Sequence, residues 1–505
     1  MKKSVLIIGN HPLSGDLTRQ YRLRGDEVVC QRGYDQMSLA LLTADEVCIL
    51  ADSRKEPFEA DNEAMAVLEQ VAMGVPATNG GRRLLCHLLL RSPSLLHLVR
   101  QEGFCATVEQ QLEVWPFTME DLWGRQVALS LDREPMTVQS EKIVHLVVFG
   151  MTPQSESLLI NTALVCHYPN YLRKDHSLRT RVTVVDERAD EKSREWLQRY
   201  PALFDNSYYR YVHPQAQSAA VVFTSPPIHR DREDFVDVEW EFVTASPDDA
   251  LVRTKLCRWA ASPSQQLTVV MAGANAAQNL HDALHMPDEV VVHNIPLYVY
   301  MPSDAAFRLL RHTGVAALLR PFGMTDRGYD VRLPLVEMAK TVNYLYSQCL
   351  VTQSDDGSWK MAYAVEVDDL QREQLWEGLP FVKRMSSCYH AMTVGVKMRM
   401  LGLADDDWEQ FYDLSSEQIE MLSQVEHNRW SAAALILGWR PCSDREQRAV
   451  EADISQKEVL KQQMVHYDLR AYHDLRPDAT GKPVQIYDRC LSACLPLIAK
   501  ESKRR

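Results

Sequence analysis

An internal repeat constrains the fold of this chain more than any other feature. Three segments of the N-terminal part recur later in the same order, with similar patterns of apolar residues, glycines and polar residues. The pairs are VLIIGNHPLSG and LVVFGMTPQSE, EVCILADS and LTVVMAGA, and LLCHLLLRSPSLLHLVR and PLYVYMPSDAAFRLLRH. Apolar runs that alternate with helical patterns are typical of a parallel sheet covered by helices. The repeat therefore predicts two tandem copies of one α/β domain, at about residues 1–105 and 141–350.

The second copy contains a strand, helix and strand unit between Ile143 and Glu187. An apolar run ends at Gly150, an amphipathic run opens with Pro153, and a β-branched run ends in two acids. In mononucleotide-binding folds, a tight glycine turn lets a phosphate approach the helix N-terminus, and an acid after the next strand binds the ribose. Gly150 with Asp186 or Glu187 is therefore a candidate nucleotide site, although the later glycines of the usual fingerprint are replaced. The alternative is that the turn and the acids serve packing and solvation alone.

The two copies are not equivalent. In the first copy, the strand after the glycine turn ends at Gln31 without an acid, so a ribose would find no carboxylate there. The second copy carries an insertion at 190–265, in which FVDVEWEFV alternates apolar and polar residues. We expect Asp237, Glu239 and Glu241 to lie on a solvated strand face. A metal site is the weaker alternative, because no histidine lies nearby in the sequence. We expect the second copy to bind a ligand and the first mainly to pack or dimerise.

Composition and charge limit the classes of function. The chain has 505 residues, of which 46% are apolar, and this is enough to form several cores. Its formal net charge of -13 disfavours nucleic acid and anionic membranes as partners. An uninterrupted apolar run long enough to span a membrane is absent from the sequence. The cysteines show neither a CxxC pair nor the spacing of zinc ligands, which favours a reducing, cytoplasmic location without a metal.

Helical periodicity dominates the C-terminal part, from about residue 353. The segments at 386–402 and 414–441 have the pattern of helices. Ser415 is a candidate N-cap for the second of them, and Gly438 marks its end.

One turn of the second helix concentrates polar groups. Glu426, His427 and Arg429 place an acid, a possible base and a cation close together, which would suit a general acid-base site. The spacing favours the alternative, in which Glu426 pairs with Arg429 at i,i+3 while Trp430 and Trp439 fill the core. A second histidine four residues away, which zinc would need, is absent.

The tandem copies resemble the RCK-type (regulator of potassium conductance) NAD-binding domains. The motifs are GNHPLSG, ADEVCILADS, LLCHLLLRSPS, VVFGMTPQSE, VTVVDE, NAAQNLHDAL and IPLYVYM, within about the first 350 residues. The resemblance implies that NAD or a related adenine nucleotide binds beside the glycine turn. It also implies that two lobes pair face to face, within one chain or in a homodimer. The implied site residues are Gly150, Thr152, Gln154, Ser155, Asp186, Glu187, Ala272 and Asn275, with a possible second site at Gly9, His11, Ser14 and Asp52.

Residues 385–505 are similar to the Ry domain, the repeat named after the ryanodine receptor. The spaced motifs are EHNRW, GWR, Lys457 in a charged loop, HYDL, YHDL and Tyr487-Asp488. The resemblance implies a helical binding module without catalysis, with a ligand or a protein as its partner. Its ligand candidates are Glu426, His427, Arg429, Trp430 and Trp439. Residues 106–140 and 351–384 are then expected to be a connecting segment and a linker.

These observations predict two tandem Rossmann-like parallel-sheet domains followed by a mainly α-helical Ry domain. The predicted function is that of a cytoplasmic ligand sensor, which binds a nicotinamide or other adenine nucleotide in the second lobe and couples it to the Ry module. The alternative is an NAD(P)-dependent oxidoreductase or another nucleotide-processing enzyme. The sequence places no lysine-tyrosine pair near a glycine turn in support of that alternative.

Overall fold

The computed structural model describes residues 2–32, 41, 43–75, 83–171, 178–213, 222–223, 235–309, 314–403, 413–478 and 480–504. Within these ranges the chain forms two large sheets of mainly parallel strands, covered by helices, and a helical C-terminal region. This architecture confirms the predicted α/β fold class with two tandem Rossmann-like lobes. Among the described helices, none has both the length and the apolar character needed to cross a lipid bilayer.

The first lobe is built on five parallel strands. They are β1 (Ser4–Ile8), β2 (Glu27–Gln31), β3 (Glu46–Leu50), β4 (Leu84–Leu89) and β5 (Leu112–Phe117), in the order β2-β1-β3-β4-β5. The described helices of this lobe are α1 (Leu13–Arg24), α2 (Pro57–Gly74), α3 (Pro93–Glu102), α4 (Ala106–Gln111) and α5 (Met119–Ala128). Successive residues of β1 point to opposite faces, so Leu6 and Ile8 enter a core with α2. Val5 and Ile7 enter a second core, which extends into the rest of the chain.

The second lobe is built on a larger sheet. Its strands are β6 (Ile143–Phe149), β7 (Thr180–Asp186), β8 (Tyr208–Val212), β9 (Val222–Phe223), β10 (Val238–Thr244), β11 (Gln265–Met271), β12 (Leu297–Tyr300) and β13 (Leu319–Phe322). The order is β13-β12-β11-β6-β7-β10-β8-β9, and all pairs are parallel except β8 with β9. The helices are α6 (Pro153–Val165), α7 (Ala189–Arg199), α8 (Pro201–Asp205), α9 (Ala250–Ala260), α10 (Ala276–Leu284), α11 (Asp288–Val292) and α12 (Ala305–Arg308).

The repeated segments occupy equivalent places in the two sheets. β1 lies between β2 and β3, and β6 lies between β7 and β11. The next strands outward, β4 and β12, carry the third pair of repeated segments. The predicted internal repeat is therefore present in the topology, and each glycine turn follows a strand that lies inside its sheet.

The segment 106–140 is not simply a connection. It contains α4, then β5 at the edge of the first sheet, and then α5. Pro116 interrupts the run LEVWPF, but its strand has a neighbour on one side only, so the missing N–H group is tolerated. The first lobe therefore extends beyond the predicted boundary at 105.

The insertion at 190–265 also contributes to the sheet, because β8 and β10 extend it beyond β7. The expectation of a solvated face on β10 was wrong: Asp237, Glu239 and Glu241 are 2%, 4% and 2% exposed. Each carboxylate has a basic partner, which lies in the sheet, on a covering helix or just after one. Asp237 lies 2.7 Å from His167 Nδ1, Glu239 pairs with Arg181, and Glu241 pairs with Arg210 and Lys255. The polar residues of this strand are thus buried and paired. An alternating sequence pattern looks the same whether its polar face is solvated or paired inside the protein.

The two lobes pack against each other through α5 and α6. A Cβ atom added to Gly124 of α5 would lie 2.7 Å from the backbone nitrogen of Leu158 in α6, so the helices meet at a position that only glycine fits. The segment after β13 also crosses to the first lobe. There the ring of Tyr329 stacks on Phe117 with centroids 4.0 Å apart, and its hydroxyl contacts His87 Nδ1.

The helical region begins before the predicted Ry boundary. Its helices are α13 (Pro334–Ser347), α14 (Asp369–Glu377), α15 (Phe381–Met392), α16 (Val394–Met400), α17 (Ser416–Ile436), α18 (Asp444–Ala452), α19 (Gln456–Lys461), α20 (Ile486–Ala493) and α21 (Leu495–Arg504). Four short strands accompany them: β14 (Leu350–Gln353), β15 (Trp359–Ala362), β16 (Arg440–Pro441) and β17 (Val465–His466). Residues 351–384, predicted as a linker, contain the β14–β15 hairpin and α14.

Two local features of this region bear on the sequence predictions. Ser415 caps α17, because its hydroxyl accepts the N–H of Gln418 and the Gln418 side chain accepts the N–H of Ser415. The cap predicted at Ser415 is thus confirmed. A disulfide joins Cys349, just after α13, to Cys490 in α20. The cysteine spacing did not indicate this bond, since 141 residues separate the two partners.

Candidate functional site

The glycine turn of the second lobe lies where the strand order reverses. Gly150 follows β6, whose neighbours β7 and β11 lead to opposite sides of the sheet, and this is the usual place for a ligand in such folds. Gly150 has a φ of +93°, and a Cβ atom there would lie 2.8 Å from the Cα atom of Gly273. Both observations explain why the position is glycine. The turn after β11 therefore closes on the turn after β6.

Side chains of the same chain occupy the N–H groups at this turn. The Thr152 N–H donates to Ser155 Oγ at 2.7 Å, and the Ser155 N–H donates to Thr152 Oγ1 at 3.3 Å, which forms a capping box for α6. The Met151 N–H donates to Asp186 Oδ2 at 2.8 Å. A phosphate at the start of α6 would have to displace these bonds.

Asp186, the candidate ribose ligand, is also engaged within the chain. Its carboxylate accepts the Lys192 ammonium at 2.7 Å and the Arg188 N–H at 2.8 Å. Glu187 is exposed. A ribose could reach Glu187 directly, whereas at Asp186 it would have to compete with three donors.

The remaining predicted residues of the second lobe surround the same turn. Thr152 Oγ1 donates to the Ala272 carbonyl at 2.7 Å, which ties the two turns together. Asn275 caps α10 by accepting the N–H groups of Ala277 and Gln278. Gln154 is half-buried beside the crevice. The structure thus brings the predicted residues together, and most of their polar atoms hold the turns in place.

The first lobe has a similar but tighter turn. Gly9 has a φ of +118°, and a Cβ atom there would lie 2.1 Å from the Leu50 carbonyl oxygen. The Ser14 N–H donates to the His11 carbonyl at 3.0 Å. Burial, together with the nearby charge of Arg91, lowers the pKa of His11 to about 4. This side chain is therefore neutral at pH 7 and supplies no positive charge for a phosphate.

Asp52, the candidate acid of the first crevice, follows β3, whereas Asp186 ends β7, the counterpart of β2. The Asp52 carboxylate accepts the Arg54 guanidinium at 2.8 and 3.2 Å. That hydrogen bond lowers the pKa of Asp52 to about 2. In both lobes, the candidate acid is paired with a basic side chain of its own chain.

The helical region contains a cavity of about 920 Å³. Its walls come from α13, α15, α17, α20 and the segment 457–468. Four of the five predicted Ry ligand residues line it: Glu426, His427, Arg429 and Trp430. Trp439 lies outside the lining, with its ring 5.8 Å from the His466 ring. The spaced motifs Lys457, His466, Asp468, Tyr487 and Asp488 converge on the same cavity.

Glu426 is the centre of a buried ion cluster at the floor of the cavity. Its carboxylate accepts Lys397 Nζ at 2.6 Å and the Arg429 Nε and Nη2 atoms at 3.0 and 2.7 Å. All three side chains are at most 2% exposed. Burial alone would raise the pKa of Glu426, but Arg429, His390 and Lys397 together hold it well below its usual range. Glu426 is therefore a carboxylate at pH 7 whose role is to pair cations.

His427 has both ring nitrogens engaged. Its Nε2–H donates to the Arg470 carbonyl at 2.8 Å, and its Nδ1 lies 3.2 Å from Asp488 Oδ2. Burial alone would lower the pKa of His427, but the bond to Asp488 raises it. A histidine with two such partners has no ring nitrogen left to take a proton from a ligand. The geometry favours a structural role for His427, as the i,i+3 pairing does for Glu426.

Aromatic rings form the wall and the mouth of the cavity. The Trp430 ring meets the His466 ring edge to face, with centroids 5.0 Å apart. At the mouth, the Tyr346 and Tyr487 rings lie 6.2 Å apart and are 48% and 37% exposed. These rings offer a planar ligand an apolar surface that is still open to solvent.

Sequence reasoning missed two partners of Glu426, namely Lys397 and His390. Both belong to helices whose residues were predicted to be helical, but neither was singled out. Lys397 stands in the run VGVKMRM, and a lysine flanked by apolar residues in a helix is a signal that a buried cation was needed there.

No protein-family model and no curated protein matches the chain. The resemblances to RCK-type lobes and to the Ry domain therefore remain predictions.

Proposed function

We propose that this chain is a ligand-sensing regulatory protein, whose sensing site is the cavity of the helical region. One observation carries this proposal: α17 lines the cavity with one face and contacts the second lobe with another. Glu426, Arg429 and Trp430 face the cavity, while Asn428 Nδ2 donates to Asp237 Oδ2 at 3.2 Å. A ligand that shifts α17 would thereby act on the buried end of β10.

The helical region also contacts the first lobe. The Trp376 Nε1–H donates to Glu113 Oε1 at 2.9 Å, and the Trp376 ring stacks on Trp115 with centroids 6.1 Å apart. The sensing region is thus attached to both sheets through buried contacts. This supports a role in which cavity occupancy alters how the lobes pack, provided that the ligand prefers one arrangement.

The cavity supports binding better than catalysis. Glu426 and His427, the two groups that general acid-base chemistry would use, are held by partners within the chain. For an oxidoreductase, the test is to follow NADH absorbance while candidate substrates are screened. Turnover would contradict the proposal, whereas ligand-dependent stabilisation without turnover would support it.

A second candidate site for the proposed sensor is an adenine nucleotide site in the second lobe. It is favoured by the position of Gly150 where the strand order reverses, with Asp186 at the end of β7. We expect NAD, NADH, ATP or ADP-ribose to raise the melting temperature if one of them binds there. Replacing both Asp186 and Glu187 by alanine should remove that effect. Nucleotide-dependent stabilisation that survives the double replacement would place the ribose elsewhere.

The coupling itself is tested with Asn428, which lies outside the cavity lining. A stabilising ligand from the same panel should slow hydrogen exchange in α17 and in β10 of the wild-type protein. Asn428→Ala should keep the slowing in α17 and lose it in β10, because the link to Asp237 is gone. Unchanged exchange in β10 of the wild-type protein, at saturating ligand, would contradict the sensor proposal.

A further inference from the structure

Two buried side chains at the cavity floor present atoms that have no hydrogen-bond partner among the described residues. They are Nη1 of Arg429 and Nε2 of His390. Both side chains are 2% exposed, and both line the cavity. Buried polar atoms are nearly always bonded, so the unpaired Arg429 donor, on a residue that lines the cavity, indicates a ligand with acceptor atoms. His390 Nδ1 lies 3.0 Å from Glu426 Oε1, and burial lowers the pKa of His390 to about 4, so its Nε2 is an acceptor, which a ligand hydroxyl would satisfy.

The charge of the floor indicates the sign of that ligand. Glu426 carries one negative charge, and Lys397 and Arg429 carry two positive charges, so the cluster has an excess of one positive charge. The next acid, Asp488, is engaged by His427 at 3.2 Å. An excess charge in a buried cluster is costly unless a counter-ion neutralises it. The floor is therefore suited to an anionic group.

The mouth indicates what the anion is attached to. Tyr346 and Tyr487 hold their rings 6.2 Å apart with about half and a third of their surfaces exposed, and Lys383 is exposed beside them. Acids also line the mouth, namely Glu458 and Asp478, so the mouth itself does not select anions. A ligand that placed its charge on the floor would leave a planar ring against the two tyrosines.

We propose that the cavity binds a phosphorylated nucleoside, with its phosphate on Arg429 and its base against Tyr346 and Tyr487. This rests on the proposed ligand-sensing function and adds the chemical class of the ligand. A phosphate matches the floor because it carries several acceptor oxygens for a guanidinium and a negative charge for the excess positive charge of the cluster. Aromatic side chains bind bases through their π-faces with little preference for the base, so the class is proposed and the base is not.

The test is a calorimetric titration of the full chain at constant ionic strength, with AMP, adenosine and pyrophosphate as probes. We expect AMP and pyrophosphate to bind, and adenosine to bind at least about tenfold more weakly than AMP. Equal binding of adenosine and AMP would overturn the anion site and leave the sensor proposal standing. Failure of both AMP and pyrophosphate to bind would overturn the inference, whereas the sensor proposal is judged by hydrogen exchange in β10.

Two variants separate the floor from the mouth. Arg429→Gln leaves Glu426 paired with Lys397, so the fold should persist. The variant should bind AMP and pyrophosphate about 10- to 100-fold more weakly than the wild type. Tyr346 lies at the exposed mouth, so Tyr346→Ala should weaken the binding of AMP about tenfold without changing the binding of pyrophosphate.

Arg489→Gln is the matched control, because Arg489 pairs with Glu420 outside the cavity lining. It should bind both probes like the wild type. If Arg489→Gln lost binding as strongly as Arg429→Gln, or if Arg429→Gln left both affinities unchanged, the floor would not be the anion site.

Discussion

Replacement of Glu426 by glutamine tests the charge balance of the buried cluster most directly. The change keeps the shape of the side chain but removes the carboxylate that pairs with both Lys397 and Arg429, whose side chains are 1% and 2% exposed. Two cations would then lie buried without a carboxylate partner. We expect the helical region to lose about 3–5 kcal/mol of unfolding free energy, as is usual when one partner of a buried ion pair is removed.

Lys397→Met provides the contrast. It removes one cation and leaves Glu426 and Arg429 as a one-to-one pair, with bonds of 2.7 and 3.0 Å. Because the excess positive charge disappears, the loss should stay within about 1 kcal/mol, and a gain is compatible with the reasoning. Burial already lowers the pKa of Lys397, which shows that the charged lysine is costly in this position. The cost of Glu426→Gln should therefore fall as pH rises, because loss of the Lys397 proton removes one of the two unpaired cations.

The measurement is the unfolding transition of the helical region, followed by thermal melting together with hydrogen exchange of α17. For a domain of this size, 3–5 kcal/mol corresponds to a shift of roughly 6–20 °C. Glu420→Gln serves as the control, since Glu420 and Arg489 form an exposed pair that contributes at most about 1 kcal/mol. A Lys397→Met loss as large as that of Glu426→Gln would refute the charge argument.

Three further predictions concern the rest of the fold. Gly124→Ala should separate α5 from α6 and lower the unfolding free energy by about 1–3 kcal/mol, whereas Gly15→Ala, which has open space around it, should be neutral or stabilising in the same denaturation assay. Burial lowers the pKa of His145 from 6.5 to about 3, so the unfolded chain binds more protons than the folded chain between these pH values. The unfolding free energy should therefore fall as pH falls through that window. His145→Gln should flatten a plot of unfolding free energy against pH, and an unchanged slope would contradict this. A reductant should lower the melting temperature of the wild type by removing the Cys349–Cys490 bond, and it should leave Cys349→Ser unaffected, since that variant lacks the bond from the start.

Local features of this protein could be predicted from the sequence because they depend on neighbouring residues. The apolar runs identified most strands, and the repeat predicted that β1 and β6 hold equivalent places in two parallel sheets. Gly9 and Gly150 marked the tight turns, since a positive φ favours glycine wherever it occurs. Ser415 marked the start of α17 because a hydroxyl at that place satisfies a free N–H of the same helix.

The burial of charged residues was decided by tertiary structure. An alternating strand suggested a solvated face for Glu239 and Glu241, but β7, β8 and α9 supply Arg181, Arg210 and Lys255 as partners. These partners lie well away in the sequence, and no local pattern pairs them.

The cavity was decided in the same way. The sequence by itself determined that Glu426 and Arg429 share one face of a helix, because i and i+3 are neighbours on any helix. Only the packing of α16 against α17 added Lys397 and gave the cluster its excess positive charge. Likewise, the turn at Gly150 could be read from the sequence, but the bond from Met151 to Asp186 that occupies it depends on how β6 and β7 align. Near neighbours in the sequence set the backbone conformation, whereas the net charge of a site and its unpaired donors depend on residues that are distant in the sequence.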